Sequence, residues 1–274
     1  MTRKLPLFAA ATAVAALLLT GCAGPATSDE PASGDGLGTL KVGALQTPAG
    51  DILQHIAENG AKEKRLTIEF VPFTDYNTPN TALDDGSIDA NLFQNSTFLA
   101  NFNSNTGSDL VSVGEAYLPT AAFYSDKITS LDELADGASI AIPNDPTNEG
   151  RALKILAGAG LIEVTDDVAD LSGITANPRG FEFREIENAT LPQALPDVDT
   201  AFVTISFALP AGLTAEKAIL VEGSDSAYFN VLATRPELKD DPRVVALYEL
   251  LTSQETADYE LETWGGLVVP VTQD

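Results

Sequence analysis

From Thr39 onward, short apolar runs that read as strands alternate with runs of helical spacing, and the pattern passes along the chain twice. That alternation constrains the fold more than any other feature, because strands joined through helices return parallel to one another and need helices on their faces. TLKVGAL reads as a buried strand, and DILQHIAENGAKEK as a helix with Ile52, Leu53, Ile56 and Ala57 on one stripe. LTIEFVPF then alternates Leu66, Ile68 and Phe70 on one face. Helix TALDDGSI, strand DANLF, helix STFLANFNSN and strand LVSVGEAYL complete the first set. A second set starts near Leu131 with LDEL, then strand ASIAI, helix EGRALKILAGAG, strand FEFREI, helix NATLPQAL and strand TAFVTI. The expectation is an α/β fold with a mainly parallel sheet in two lobes, residues 39–120 and 121–228, with 229–274 returning to the first. Leu118–Ser125 and Tyr228–Thr234 read as extended, and side by side they would form a two-stranded hinge. Residues 241–266 supply closing helices, and a ligand would lie between the lobes at the carboxyl ends of the strands.

The start of the chain is of another kind. Arg3 and Lys4 precede an apolar and small-residue run from Leu5 to Leu19, long enough for a secretory h-region and short for a membrane span. It ends in Leu19-Thr20-Gly21-Cys22, which resembles the bacterial lipobox and makes Cys22 the expected site of lipid attachment and first mature residue, with 1–21 as signal peptide. The alternative is an ordinary residue near a cleavage site, but Cys22 is the one cysteine in 274 residues. Residues 22–38 are rich in Gly, Pro, Ala, Ser and acids and read as a flexible tether. The chain is then expected on the extracytoplasmic face of the cell membrane, held by its acyl chains alone (palmitate among them). A net charge of −25 disfavours nucleic acid and anionic headgroups as partners.

The composition removes most chemistry. With one histidine, and the cysteine taken by the anchor, His/Cys metal sites and thiol nucleophiles are not expected. His55 lies in the same helix beside the apolar stripe and reads as a helix-surface histidine. The sequence carries no Gly-x-Ser-x-Gly elbow, no P-loop and no dinucleotide fingerprint. Binding without catalysis, with no cofactor and no metal, is the expectation.

The segment Ile142-Pro143-Asn144-Asp145-Pro146-Thr147-Asn148-Glu149-Gly150-Arg151-Ala152-Leu153 closely resembles the matching stretch of methionine-binding lipoproteins of ABC importers, the NlpA lipoprotein family. Phe73–Tyr76 through Pro79-Asn80, Asp89–Gln94, Asn101–Asn103, Leu110–Gly114 and Tyr228–Asn230 support it in the family's order. The resemblance implies a two-lobed periplasmic-binding-protein-like (type II) fold that closes on a free amino acid, L-methionine being the first expectation. It also implies delivery to a membrane permease and a monomer. An enzyme on the same scaffold would need a nucleophile or base in the cleft, and another amino acid or a short peptide is the alternative ligand.

The long motif also makes physical sense unaided. A strand ending at Ile142 and a helix starting near Asp145-Pro146 leave backbone N–H groups free to favour an anion. Arg151, about a turn further on, could fork onto a carboxylate, or else pair with an acid such as Glu149. Asn148 is either a cap or a contact. The resemblance implies an aromatic cage of Tyr76, Phe93 and Phe98 for the thioether, and a head-group role for Asn230. Three positions depart from the family pattern: Asn95 replaces a histidine, Phe98 a tyrosine, and Thr204 a ligand-contacting asparagine. There the contact would be shortened or water-bridged.

Overall fold

A computed structural model describes residues 36–223 and 225–273. The signal peptide, Cys22 and nearly all of the tether lie outside these residues. Residues 36–274 form one compact unit. In chain order the strands are β1 (Gly38–Leu45), β2 (Leu66–Phe73), β3 (Ala90–Asn95), β4 (Val111–Pro119), β5 (Ala121–Tyr124), β6 (Ser139–Pro143), β7 (Glu163–Val164), β8 (Ile174–Ala176), β9 (Glu182–Ile186), β10 (Thr200–Thr204), β11 (Ala218–Val221), β12 (Asn230–Thr234) and β13 (Val268–Pro270). The helices are α1 (Asp51–Glu58), α2 (Gly60–Glu63), α3 (Pro79–Asp84), α4 (Ser96–Thr106), α5 (Pro146–Gly158), α6 (Leu191–Ala194), α7 (Ile205–Ala208), α8 (Pro242–Leu251) and α9 (Gln254–Trp264).

Two sheets organise the two lobes. The first runs β13-β4-β12-β3-β1-β2 and the second β11-β5-β10-β6-β9. Helix crossovers keep β2, β1 and β3 parallel, and likewise β9, β6 and β10. The remaining strands correct the expectation of mainly parallel sheets: β12, β4 and β13 add antiparallel to the first sheet, and β5 and β11 to the second. Of these, β5 and β12 enter from the opposite lobe, while β4, β13 and β11 follow elements of their own lobe. The chain crosses between the sheets at Thr120 and again over residues 222–229. The crossing is two-stranded, with a different pairing from that expected: Asn230 faces Tyr117, whereas β5 pairs with β11, Ala122 facing Val221.

Burial follows the periodicity. Leu40, Val42 and Ala44 of β1 are fully buried and pack with Ile52, Leu53 and Ile56 of α1 and Val244 and Leu247 of α8 in the first lobe's core. In the second lobe Ile140, Ile142 and Phe202 meet Ala152, Leu153 and Leu156 of α5. NATLPQAL is one helical turn, α6, flanked by tighter turns, since Pro192 and Pro196 interrupt it. His55 is not a free surface side chain: its ring stacks on Tyr259 of α9 at 3.9 Å.

Candidate functional site

The site grows from the start of α5. Asp145, in extended conformation, is the N-cap, and its Oδ1 accepts the Asn148 N–H at 3.0 Å, with Pro146 in the first turn. The Asn148 amide nitrogen donates to both oxygens of that carboxylate at 3.2 and 3.1 Å, and the Asn188 amide donates to Oδ2 at 2.7 Å. This corrects the expected anion position, because the Asp145 carboxylate itself occupies the helix N-terminus. Asn148 is thus a brace on the cap that also lines the adjoining cavity. Gly150 is required by close approach: a Cβ there would lie 2.4 Å from the Val168 carbonyl oxygen.

One residue further, the Arg151 side chain is almost completely buried. Its Nε donates to Glu222 Oε1 at 2.8 Å and its Nη2 donates to Glu222 Oε2. Nη2 also donates to the Pro119 carbonyl at 2.8 Å, and the guanidinium lies 4.9 Å from the centre of the Tyr228 ring. The fork expected for a ligand therefore rests on Glu222, and the edge without a protein partner among the described residues is Nη1. The other expected partner, Glu149, is buried away from Arg151 near Asp170 and Leu171, and burial with the nearby Glu185 raises its carboxyl to about 7.

The cavity also has an aromatic wall. Tyr76, in the loop after β2, packs on Phe93 of β3 and Phe98 of α4 at ring distances of 5.8 and 6.1 Å, and Phe93 lies 5.8 Å from Phe98. Phe207 of α7 approaches Tyr76 from the second lobe at 4.9 Å. The Tyr76 hydroxyl and Thr204 Oγ1 bond across the cleft at 3.0 Å; burial raises the phenol pKa and the Thr204 bond opposes this. A second bond across the cleft joins Asn101 Nδ2 to Thr147 Oγ1 at 2.9 Å.

Asn95 ends β3 and caps α4, its Oδ1 accepting the Phe98 N–H at 3.0 Å. Asn230 opens β12 opposite Asn95 and donates from Nδ2 to the Tyr117 hydroxyl at 3.2 Å. All eight candidate side chains (Tyr76, Phe93, Asn95, Phe98, Asn148, Arg151, Thr204 and Asn230) line one cavity, together with Gln94 and Pro119. These side chains nearly fill it, the non-atom space among them being about 290 Å³ with the adjoining solvent included.

Sequence reasoning gave no role to several residues the fold brings here. Asn80, Asn91 and Gln94 form a buried amide network: Asn80 Nδ2 donates to Gln94 Oε1 at 2.7 Å, and Asn91 Nδ2 and Gln94 Nε2 donate to Asn80 Oδ1 at 2.9 and 2.6 Å. Their signal was available, since amides inside an apolar strand must find partners. Glu222 and Phe207 carried no local signal. The described residues hold no cluster of three or more His, Cys, Asp or Glu able to bind a metal ion.

Two lobes on separate sheets, joined by a double crossing and enclosing a cavity at the strand ends, define the architecture of periplasmic substrate-binding proteins. The match to the NlpA lipoprotein model extends over residues 40–272, and the chain belongs to that family. A probable D-methionine-binding lipoprotein of Vibrio cholerae is 40% identical over 234 residues, 84% of each chain. A periplasmic substrate-binding protein of an ABC transporter from Coxiella burnetii superposes with a TM-score of 0.81 at 36% identity, over 85% of this chain and 100% of its own. A nutrient-binding protein from Burkholderia cenocepacia, solved bound to methionine, superposes at 0.81 with 34% identity, over 84% of this chain and 99% of its own.

Proposed function

We propose that this chain is a lipid-anchored solute-binding protein that captures a free amino acid, methionine first, and hands it to an ABC importer, without catalysing a reaction on it. Cys22 carries the acyl anchor on the extracytoplasmic face, and residues 22–38 tether a monomeric domain that closes between residues 39–120 with 229–274 and residues 121–228. The observation that carries this reading is the lining of one cavity by the Arg151 guanidinium, the polar side chains of Asn148, Thr204 and Asn230, and the rings of Tyr76, Phe93 and Phe98. Arg151 Nη1 meets the ligand carboxylate, and Asn148, Asn230 and Thr204 serve the head group. Tyr76, Phe93 and Phe98 pack the side chain, and thioether contacts on rings contribute about 0.3–1.5 kcal/mol each. The methionine-binding relatives support the ligand.

Titration calorimetry on the acylated protein in detergent, with L- and D-methionine, leucine and glutamate, tests this. Methionine is expected to bind most tightly, and Arg151→Ala to weaken it roughly tenfold or more, the worth of one charge-assisted bond. Unchanged affinity in Arg151→Ala would remove that residue from the site, and failure to bind any of the four would overturn the ligand class.

A further inference from the structure

We propose that Glu222 is the positioning residue of this site: it holds the Arg151 guanidinium edge-on to the cavity and ties it to both strands that cross between the lobes. The inference rests on Arg151 meeting the ligand carboxylate. Glu222 opens the second crossing, and its side chain is buried. Oε1 accepts from Arg151 Nε and from Ser226 Oγ, both at 2.8 Å. Oε2 accepts from Arg151 Nη2 and from the Ala121 N–H, the latter at 3.0 Å. The Glu222 N–H in turn donates to the Ala121 carbonyl at 2.9 Å, and Arg151 Nη2 reaches the Pro119 carbonyl at 2.8 Å. One ion pair thus touches residues 119 and 121 on the first crossing and 222 and 226 on the second.

Three consequences follow from this geometry. Four donors satisfy the carboxylate fully, so the guanidinium is locked with Nη1 as its remaining edge. The pair is also neutral. Arg151 is the one charged residue lining the cavity, so a zwitterion of zero net charge can enter without leaving a buried charge uncompensated, whereas an anionic ligand cannot. In addition, any hinge motion that shifts 119–121 against 222–226 must break bonds to the same carboxylate. A ligand that steadies the guanidinium therefore favours the crossing geometry seen here, which couples capture to closure.

The test uses the acylated protein in detergent, with L-methionine affinity and backbone hydrogen exchange measured in parallel. Glu222→Ala should weaken binding roughly tenfold or more, because it leaves Arg151 buried without its counter-charge. Added formate should restore part of the affinity by refilling the vacated carboxylate position. Exchange should rise over 119–121 and 222–229, and methionine should no longer suppress it there. Glu222→Gln keeps the volume without the charge; it should lose affinity without responding to formate, and it carries the measurement if the alanine variant does not fold. Unchanged affinity in both variants, while Arg151→Ala loses binding, overturns the proposal. So does an affinity loss that formate does not touch in Glu222→Ala and that accompanies raised exchange throughout the chain, since that is general unfolding. Unchanged affinity in Arg151→Ala instead overturns the reading of Arg151 itself, and this inference with it.

Discussion

At the residue scale, the bond between the Tyr76 hydroxyl and Thr204 Oγ1 joins side chains 128 positions apart and spans the cleft. It explains how a threonine can stand in the wall of an amino-acid site: its hydroxyl is engaged by the opposite lobe. A double-mutant cycle with Tyr76→Phe and Thr204→Val is expected to give a coupling of about 0.5–1.5 kcal/mol in methionine binding. Calorimetry on the four proteins measures it. Additive losses would show that the bond contributes nothing to closure.

At the element scale, α4 owes its start to Asn95 and its end to Gly107, whose φ of 77° is left-handed. The helix has a single buried residue, Leu99, so packing offsets little of a lost cap. Asn95→Ala is expected to destabilise the protein by about 1 kcal/mol, and Asn95→Asp to keep most of that stability because it preserves the acceptor. Urea denaturation of the three proteins checks this, and equal midpoints would remove the capping role. The same bond gives a physical reason for asparagine at this departure from the family pattern: the side chain serves the helix from within the cavity wall.

At the scale of the whole molecule, Glu260 of α9 is the least comfortable group. It is 1% exposed, neither oxygen has a partner among the described residues, and burial pushes its carboxyl up to about 8. The folded protein therefore holds a proton that the unfolded chain releases near pH 4.5. Stability conferred by that proton is complete below about pH 4.5 and is lost as pH rises to about 8, by at most roughly 1.4 kcal/mol per pH unit. Glu149, raised to about 7, adds a slope of the same sign. Glu260→Gln should flatten this loss and be the more stable protein near pH 8, while matching the natural protein near pH 4.5. Urea midpoints across that range decide it, and parallel curves for the two proteins would rule out Glu260 as the source.

What the sequence determined by itself was local. Periodicity set β1, β2, β3, β4, β6, β9, β10 and α4 within two residues, and Asp145-Pro146 marked the start of α5, because these signals depend on neighbours a few positions away; it read α1 and α2 as one helix and did not find β7, β8, β11 or β13. The aromatic and amide candidates were legible for a different reason, through a resemblance carried by contiguous motifs. Tertiary structure alone decided which strands close each sheet antiparallel, that Phe207 reaches Tyr76, and that Asn95 caps a helix. It also decided that the fork of Arg151 belongs to Glu222, a pairing of residues 71 positions apart. No local pattern encodes such a partner. It arises because a buried guanidinium must be neutralised, and the carboxylate that does so sits where the chain leaves β11 to cross back to the first sheet.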